Sequence, residues 1–242
     1  MTRKDSSFLI LKNISREGPG LLERVLRQRR LAYRVIDLDA GGAIPEPAGY
    51  DALVVMGGPD SANDATCKMD AELAIIRECL NHGIPFLGIC LGMQALVQAG
   101  GGKVVKSPVR EIGFRDRNDG WNEVVLTREG MADPMFSGLG SRFRIFHLHG
   151  ETVELADGMA LLGAGRYCRN QVVRVGSNAW GIQGHFELTP SMLKLWLRED
   201  TELRQCDHGA IRADYDALRE EYTATGLRLF RNFADIVTGK AR

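Results

Sequence analysis

The sequence lacks the features of three broad classes of protein. No segment approaches the roughly 18 consecutive apolar residues that a membrane-spanning helix requires. Its 31 basic and 31 acidic residues leave no net charge, whereas proteins that bind nucleic acid or anionic membranes are usually basic. The five cysteines form no CxxC pair, so we expect neither a disulfide framework nor a cysteine zinc site. We therefore expect free thiols and no nucleic-acid or membrane partner.

The N-terminal residues give no sign of a secretion signal. The first apolar run covers only residues 8–11 before Lys12, and a signal peptide needs about 7–15 apolar residues. We expect a cytoplasmic protein. Hydrophobic residues make up 44% of the 242 residues and charged residues 26%, which is the balance of a globular chain and not of a disordered one.

The N-terminal half alternates short apolar runs with segments of helical periodicity. Strands are predicted at 8–14, 33–38, 52–56 and 84–89, and helices follow the first, third and fourth of them. Strands that alternate with helices pair in parallel through right-handed crossovers. Runs that are apolar on both faces belong in the middle of such a sheet.

The pattern changes from about Lys103 onward, where short strands dominate. These strands are predicted at roughly 123–127, 144–147, 159–164, 171–175 and 180–183. They indicate an antiparallel or mixed extension of the same sheet. Thr189 and Pro190 form an N-cap and first-turn pair that opens a helix. Residues 208–237 predict one helix interrupted near Gly226, or two helices.

One cysteine occupies a sharp turn of the predicted chain. In Gly88-Ile89-Cys90-Leu91-Gly92 an apolar strand ends at the thiol and a helix begins at about Leu91, as in a nucleophile elbow with Cys in place of Ser. The helix dipole favours the thiolate there, and the Leu91 N–H would point at a developing oxyanion. The alternative is a buried structural cysteine beside glycines that permit close packing.

A histidine and a glutamate end another predicted strand. His185 and Glu187 are two residues apart, so their side chains point to the same face. Glu187 can accept a hydrogen bond from one ring nitrogen and leave the other to take the thiol proton. An HxE pair alone is common, and a strand-end histidine beside a solvated glutamate is its alternative. Together with an elbow cysteine in one α/β sheet, the pair indicates a catalytic site at the strand ends.

A glycine pair ends the third strand, in Met56-Gly57-Gly58-Pro59. It could present a second N–H to an oxyanion. The alternative is an ordinary turn, because Gly-Pro is a general breaker of regular structure.

Four motifs, in order along the chain, resemble those of the class I glutamine amidotransferases, above all the glutaminase domain of GMP synthase. Residues 83–114 resemble the nucleophile region, and MGGPDS at 56–61 resembles the oxyanion-strand loop. Residues 146–151 resemble the S-H-G-D region, and 181–187 resemble the G-[VI]-Q-F-H-P-E box. The resemblance covers about residues 8–199. It implies a flavodoxin-like, three-layer α/β fold with a central mixed, mainly parallel sheet.

The resemblance also implies a role for each matching residue. Cys90 matches the nucleophile, His185 the general base and acid, and Glu187 the carboxylate that orients the histidine. Gly58 and Leu91 match the backbone donors of the oxyanion hole. The residues that match substrate-binding positions are Gly57, Gln94, Leu148 and His149.

The sequence departs from the family pattern beside the triad. Gly184 stands where the family usually has Phe, Phe186 where it usually has Pro, and Leu148 where GMP synthase has Ser. These differences leave the triad intact and change the walls next to it. We expect one domain at residues 1–200 and a helical C-terminal extension at 201–242 packed on the same domain.

Three functions remain open on the sequence alone. No GxxxxGK[ST] phosphate loop and no second large domain are evident, so the chain resembles a glutaminase without its synthetase. It is a hydrolase of glutamine or of γ-glutamyl amides, a glutaminase subunit of a separate synthetase, or a non-catalytic binding or regulatory protein. No cofactor is expected. No third ligand for a metal is evident beside His147 and His149, so no metal is expected either. A homodimer through the C-terminal stretch is left open.

Overall fold

The computed structural model describes residues 7–240 of the chain. Residues 1–6 and 241–242 lie outside the described residues. The first of these ranges belongs to the N-terminal segment in which the sequence shows no secretion signal, and the second belongs to the predicted C-terminal extension. No helix within 7–240 is both long enough and apolar enough to cross a lipid bilayer.

Eleven strands form one large sheet and one separate ribbon within the described part of the chain. In chain order the strands are β1 (Ser7–Lys12), β2 (Ala32–Asp37), β3 (Ala52–Val55), β4 (Phe86–Ile89), β5 (Lys103–Gly113), β6 (Glu123–Leu126), β7 (Arg142–Arg144), β8 (His147–Glu154), β9 (Met159–Ala164), β10 (Asn170–Val175) and β11 (Ala179–Ile182). The large sheet has the order β2-β1-β3-β4-β11-β10-β9-β6-β7, and β5 pairs with β8 as an antiparallel ribbon.

The large sheet confirms the mixed, mostly parallel arrangement that the resemblance implies. Strands β2, β1, β3, β4 and β11 pair in parallel, and every pairing from β11 to β7 is antiparallel. All strands of this sheet except β10 and β6 therefore run in the same direction. The two strands β3 and β4 are buried along their whole length, as expected for the middle of a sheet covered on both faces.

Helices cover both faces of the sheet and complete the three layers. The helices are α1 (Gly20–Gln28), α2 (Cys67–His82), α3 (Leu91–Ala99), α4 (Arg128–Ala132), α5 (Pro190–Glu199) and α6 (His208–Val237). Alternate residues of β1 point into different cores: Phe8 and Ile10 pack with α1, α5 and α6, whereas Leu9 and Leu11 pack with α2 and α3. The Thr189 hydroxyl accepts the N–H of Met192 and caps α5, which confirms the predicted helix start.

Several elements differ from the sequence prediction, which does not include α4 or β8. The interruption near Gly226 is absent, because α6 continues to Val237. A Cβ at Gly226 would lie 2.5 Å from the carbonyl oxygen of Phe186, so the glycine lets α6 approach the chain after β11. The strand predicted at 144–147 is wrong in its bounds, since these residues join the end of β7 to the start of β8. The sequence prediction does not include β5, because most residues of this strand are half-buried or exposed and give no strong apolar alternation.

Candidate active site

Cys90 stands at the turn between β4 and α3 with a strained backbone. Its φ of 52° and ψ of −107° lie in a region that L-residues other than glycine rarely adopt. The turn closes only because two glycines flank it. A Cβ at Gly88 would lie 2.3 Å from the Gly92 carbonyl oxygen, and a Cβ at Gly92 would lie 2.2 Å from that of Val55. The local sequence therefore forms the elbow geometry, with the Cys90 side chain at the N-terminus of α3.

His185 follows β11, the parallel neighbour of β4. Ile182 pairs with Ile89, and the Cys90 N–H donates to the Ile182 carbonyl at 2.8 Å, so the two strand ends lie side by side. The His185 backbone is fixed by an N–H bond to the Phe146 carbonyl at 2.8 Å. Adjacent parallel strands thus bring the thiol and the imidazole to one edge of the sheet.

The imidazole of His185 forms a buried pair with Glu187. Nδ1 of His185 lies 2.7 Å from Oε1 of Glu187, and both side chains are almost fully inaccessible to solvent. Burial lowers the pKa of His185, but the Glu187 carboxylate and the adjacent Cys90 side chain outweigh it, so that the pKa lies well above the usual value. The Trp196 ring stands edge-on to the imidazole with 4.9 Å between ring centroids. The pair is therefore held in one orientation with Nδ1 occupied.

Two glycine-containing backbone segments border the thiol. A Cβ at Gly57 would lie 3.0 Å from Cε1 of His185 and 3.4 Å from Cβ of Cys90. A Cβ at Gly58 would lie 3.4 Å from a side-chain carbon of Leu91. The Leu91 N–H belongs to the first turn of α3, where backbone donors have no partner within the helix. The two predicted oxyanion positions, Gly58 and Leu91, are thus neighbours beside Cys90.

An open cavity of about 680 Å³ has Cys90 and His185 among its lining residues. The predicted residues Gly58, Gln94, Leu148 and His149 line the same cavity. The Leu148 carbonyl lies 3.8 Å from the Cys90 sulfur. The amide of Gln94 donates to the Glu151 carbonyl at 3.3 Å. The predicted residues Gly57, Leu91 and Glu187 do not line the cavity, and Glu187 lies behind the histidine.

Two of the three departures from the family pattern, Gly184 and Phe186, have local packing reasons. A Cβ at Gly184 would lie 2.5 Å from the Ile145 side chain, so the backbone here leaves no room for a larger residue. Phe186 points away from the cavity and stacks on Tyr222 of α6 with 6.0 Å between ring centroids. It therefore anchors the segment that contains His185 and Glu187 to the C-terminal helix.

The structure places Glu111 beside His147 and His149, where the sequence indicated no third ligand for a metal. One ligand atom each of Glu111, His147 and His149 lie within 4.8 Å of one another, and all three residues are buried. Nε2 of His149 lies 3.1 Å from Oε2 of Glu111, which is the contact of a buried histidine–carboxylate pair. Burial and the two neighbouring histidines hold the pKa of His147 well below its usual value.

Sequence reasoning missed one wall of the cavity. The turn between β1 and α1 contributes Arg16 and Glu17, and the segment after α5 contributes Asp200, Thr201 and Glu202. The signal was weak but present, since Glu17 stands directly before Gly18-Pro19-Gly20, at the carboxyl end of a predicted strand. Ligands bind at that edge in α/β sheets.

Comparison with known proteins gives one family match and several relatives. The family model described as glutamine amidotransferase class-I matches residues 20–200. A glutamine amidotransferase-like protein of Salmonella typhimurium is 32% identical over 156 residues, which are 62% of this chain and 62% of that protein. A γ-glutamyl-L-1-hydroxyisopropylamide hydrolase of a Pseudomonas species is 28% identical over 203 residues, covering 82% of this chain and 66% of the hydrolase. A glutamine-hydrolyzing GMP synthase subunit from Natronomonas pharaonis is 31% identical over 170 residues, covering 69% of this chain and 81% of that protein.

The chain spans less than two thirds of the length of the first two of these relatives. Among solved structures, a glutamine amidotransferase from Thermotoga maritima matches with a TM-score of 0.83 at 22% identity. That match covers 97% of this chain and 99% of the other, and it concerns the fold.

Proposed function

Because this chain belongs to the class I glutamine amidotransferases, we propose that it is a cysteine-dependent hydrolase of glutamine or of γ-glutamyl amides. The observation that carries the proposal is the buried His185–Glu187 pair beside an elbow cysteine in an open cavity. The relative that hydrolyses a γ-glutamyl amide supports this substrate class. All five cysteines are free thiols, which supports the proposal that the enzyme works in the cytoplasm.

In the proposed reaction, Cys90 is the nucleophile and His185 moves the proton. His185 takes the thiol proton, and the sulfur attacks the γ-carbonyl carbon. The C–N bond then breaks, and the proton on His185 goes to the leaving amine, which gives a γ-glutamyl thioester. Water then loses a proton to His185 and attacks the thioester, the C–S bond breaks, and the thiol regains its proton. Glu187 holds the ring with one nitrogen free for these transfers.

The backbone N–H groups of Gly58 and Leu91 stabilise the two tetrahedral oxyanions in this proposal. Loss of one such donor typically costs about 10²–10³ in rate. Gln94 and the backbone at Leu148 and His149 would hold the amino-acid part of the substrate, and Gly57 would keep the thiol and the imidazole accessible to it.

The test is release of glutamate from L-glutamine and from a panel of γ-glutamyl amides and dipeptides. Cys90→Ala should abolish turnover and keep the fold. Cys67→Ala is the matched control, because Cys67 is also a free thiol in the first turn of a helix but does not line the cavity. Retained turnover in Cys90→Ala would refute the mechanism. Failure of a glutamine-analogue electrophile such as diazo-oxo-norleucine to label Cys90 would favour a non-catalytic binding protein.

A second function is favoured by the similarity to the Natronomonas pharaonis protein, which is described as one subunit of a synthase. The chain would then be a glutaminase that delivers ammonia to a separate synthetase. Slow hydrolysis of glutamine, with no better substrate in the panel, would support that function. Rapid turnover of one γ-glutamyl amide without any partner would support the free-standing hydrolase.

A further inference from the structure

One buried carboxyl group that lines the cavity has an oxygen atom without a hydrogen bond. Glu17 is 3% exposed, and its Oε2 makes no hydrogen bond to any residue of 7–240. The Arg16 guanidinium lies 3.9 Å from the other oxygen, Oε1, and makes its shorter contact with Asp200 at 2.7 Å. A buried acceptor of this kind is costly unless a ligand or water supplies a donor.

Glu17 lies close to the reacting groups. A Cβ at Gly57 would lie 2.4 Å from Oε2 of Glu17, 3.0 Å from Cε1 of His185 and 3.4 Å from Cβ of Cys90. The three side chains therefore surround one point in space, which lies at the carboxyl ends of β1, β3, β4 and β11. No other carboxylate among the cavity-lining residues is buried this deeply.

The environment of Glu17 brings the pKa of its carboxyl group close to neutral pH. Burial raises the pKa of Glu17 to about 7, while the charges of His185 and Arg16 act in the opposite direction and those of Glu187 and Asp200 add to the rise. In its ionised form the carboxylate has one oxygen, Oε2, that makes no hydrogen bond and lies near Cε1 of His185.

On the proposed function, the group that reaches this point is the scissile nitrogen. His185 must approach that nitrogen to protonate it, and Oε2 of Glu17 and Cε1 of His185 lie 2.4 Å and 3.0 Å from the same point, the position of a Cβ at Gly57. We propose that Glu17 accepts the N–H of the scissile amide and marks the leaving-amine subsite, between the turn after β1 and the segment at Asp200. The site then selects primary and secondary γ-glutamyl amides over esters and N,N-disubstituted amides, which have no N–H to donate.

The experiment compares L-glutamine with the γ-methyl ester of L-glutamate. Both give the same γ-glutamyl thioester, so kcat/KM reports the acylation step, where the two substrates differ. Glu17→Met removes the acceptor at similar size, and Glu17→Gln retains a neutral acceptor oxygen. We expect kcat/KM for glutamine to fall about 10–100-fold in Glu17→Met and less in Glu17→Gln, with the ester changing less than about threefold.

The matched control is Glu72→Gln, which replaces a second buried glutamate whose carboxyl oxygens also lack partners, outside the cavity. It should leave both substrates unchanged. An equal loss on amide and ester in Glu17→Met would show that Glu17 acts through His185 or the fold, and would overturn the inference. If kcat falls equally for the amide and the ester while kcat/KM is unchanged, Glu17 acts on the water that hydrolyses the thioester, and the inference is overturned. If the unaltered enzyme hydrolyses neither substrate, the proposed function fails and takes the inference with it.

Discussion

Removal of one oxygen atom from α6, by Tyr222→Phe, tests how the C-terminal helix supports the segment of the proposed triad residues His185 and Glu187. The Tyr222 hydroxyl donates to the His185 carbonyl at 2.8 Å and accepts the Leu188 N–H at 3.3 Å. Tyr222 is 1% exposed, so water cannot replace the hydroxyl without rearrangement. The substitution therefore leaves two backbone groups, on either side of Glu187, buried without their partner.

The expected loss in the free energy of unfolding follows from these two hydrogen bonds. An unsatisfied buried polar group costs about 1–3 kcal/mol. The bond to His185 is short and takes the upper part of that range, whereas the longer bond from Leu188 takes the lower part. We therefore expect Tyr222→Phe to lower the free energy of unfolding by about 3 kcal/mol. For a chain of this length that corresponds to a fall of about 6–12 °C in Tm.

The assay is urea denaturation of the two tyrosine variants of α6 beside the unaltered chain. Tyr215→Phe is the control, because Tyr215 is also buried on α6 and packs its ring against Tyr222 but makes no side-chain hydrogen bond within residues 7–240. We expect Tyr215→Phe to cost less than about 1 kcal/mol. If the two variants lose equal stability, the hydroxyl bonds do not anchor the triad segment and the reasoning is refuted.

Two further predictions concern the elbow and a second buried acid. Gly92→Ala should destabilise the fold by about 1–3 kcal/mol or more and reduce turnover, because its Cβ would collide with the Val55 carbonyl. Gly49→Ala, at an exposed site with open space, is the control in urea denaturation. Equal denaturation midpoints for the two variants would contradict the prediction. Burial raises the pKa of Glu72 from 4.5 to about 7, so its contribution is fully present below pH 4.5 and is lost as the pH rises through about 7. The stability of Glu72→Gln relative to the unaltered chain should therefore increase by about 3 kcal/mol between pH 4.5 and 8 in urea titrations, and a difference that does not change with pH would contradict this.

The sequence predicts those parts of the molecule in which the informative residues are neighbours in the chain. Cys90 lies between glycines at a strand end, and His185 and Glu187 are two residues apart, so local patterns suffice to single them out. The alternation of β1, β3 and β4 with helices is equally local, and it predicts that these three strands pair in parallel.

The remaining features depend on contacts between distant segments. Glu17 acquires its position only because β1 and β3 are adjacent and place it beside Gly57. Glu111 meets His149 only through the β5–β8 ribbon, whose first strand has a weak apolar pattern. The continuity of α6 through Gly226 likewise reflects its contact with Phe186, which no pattern within the helix reveals.

The pairing of β4 with β11 also has a consequence for the order in which the protein acquires its chemistry. The thiol and its histidine come from strands far apart in the chain, and Tyr222 fixes the histidine segment from still further along. Contacts of such long range form slowly compared with local ones. During synthesis Cys90 therefore emerges from the ribosome well before His185 is available to it. The rate at which the proposed activity returns during refolding would then report how fast the large sheet and α6 come together, and so how fast the whole fold forms.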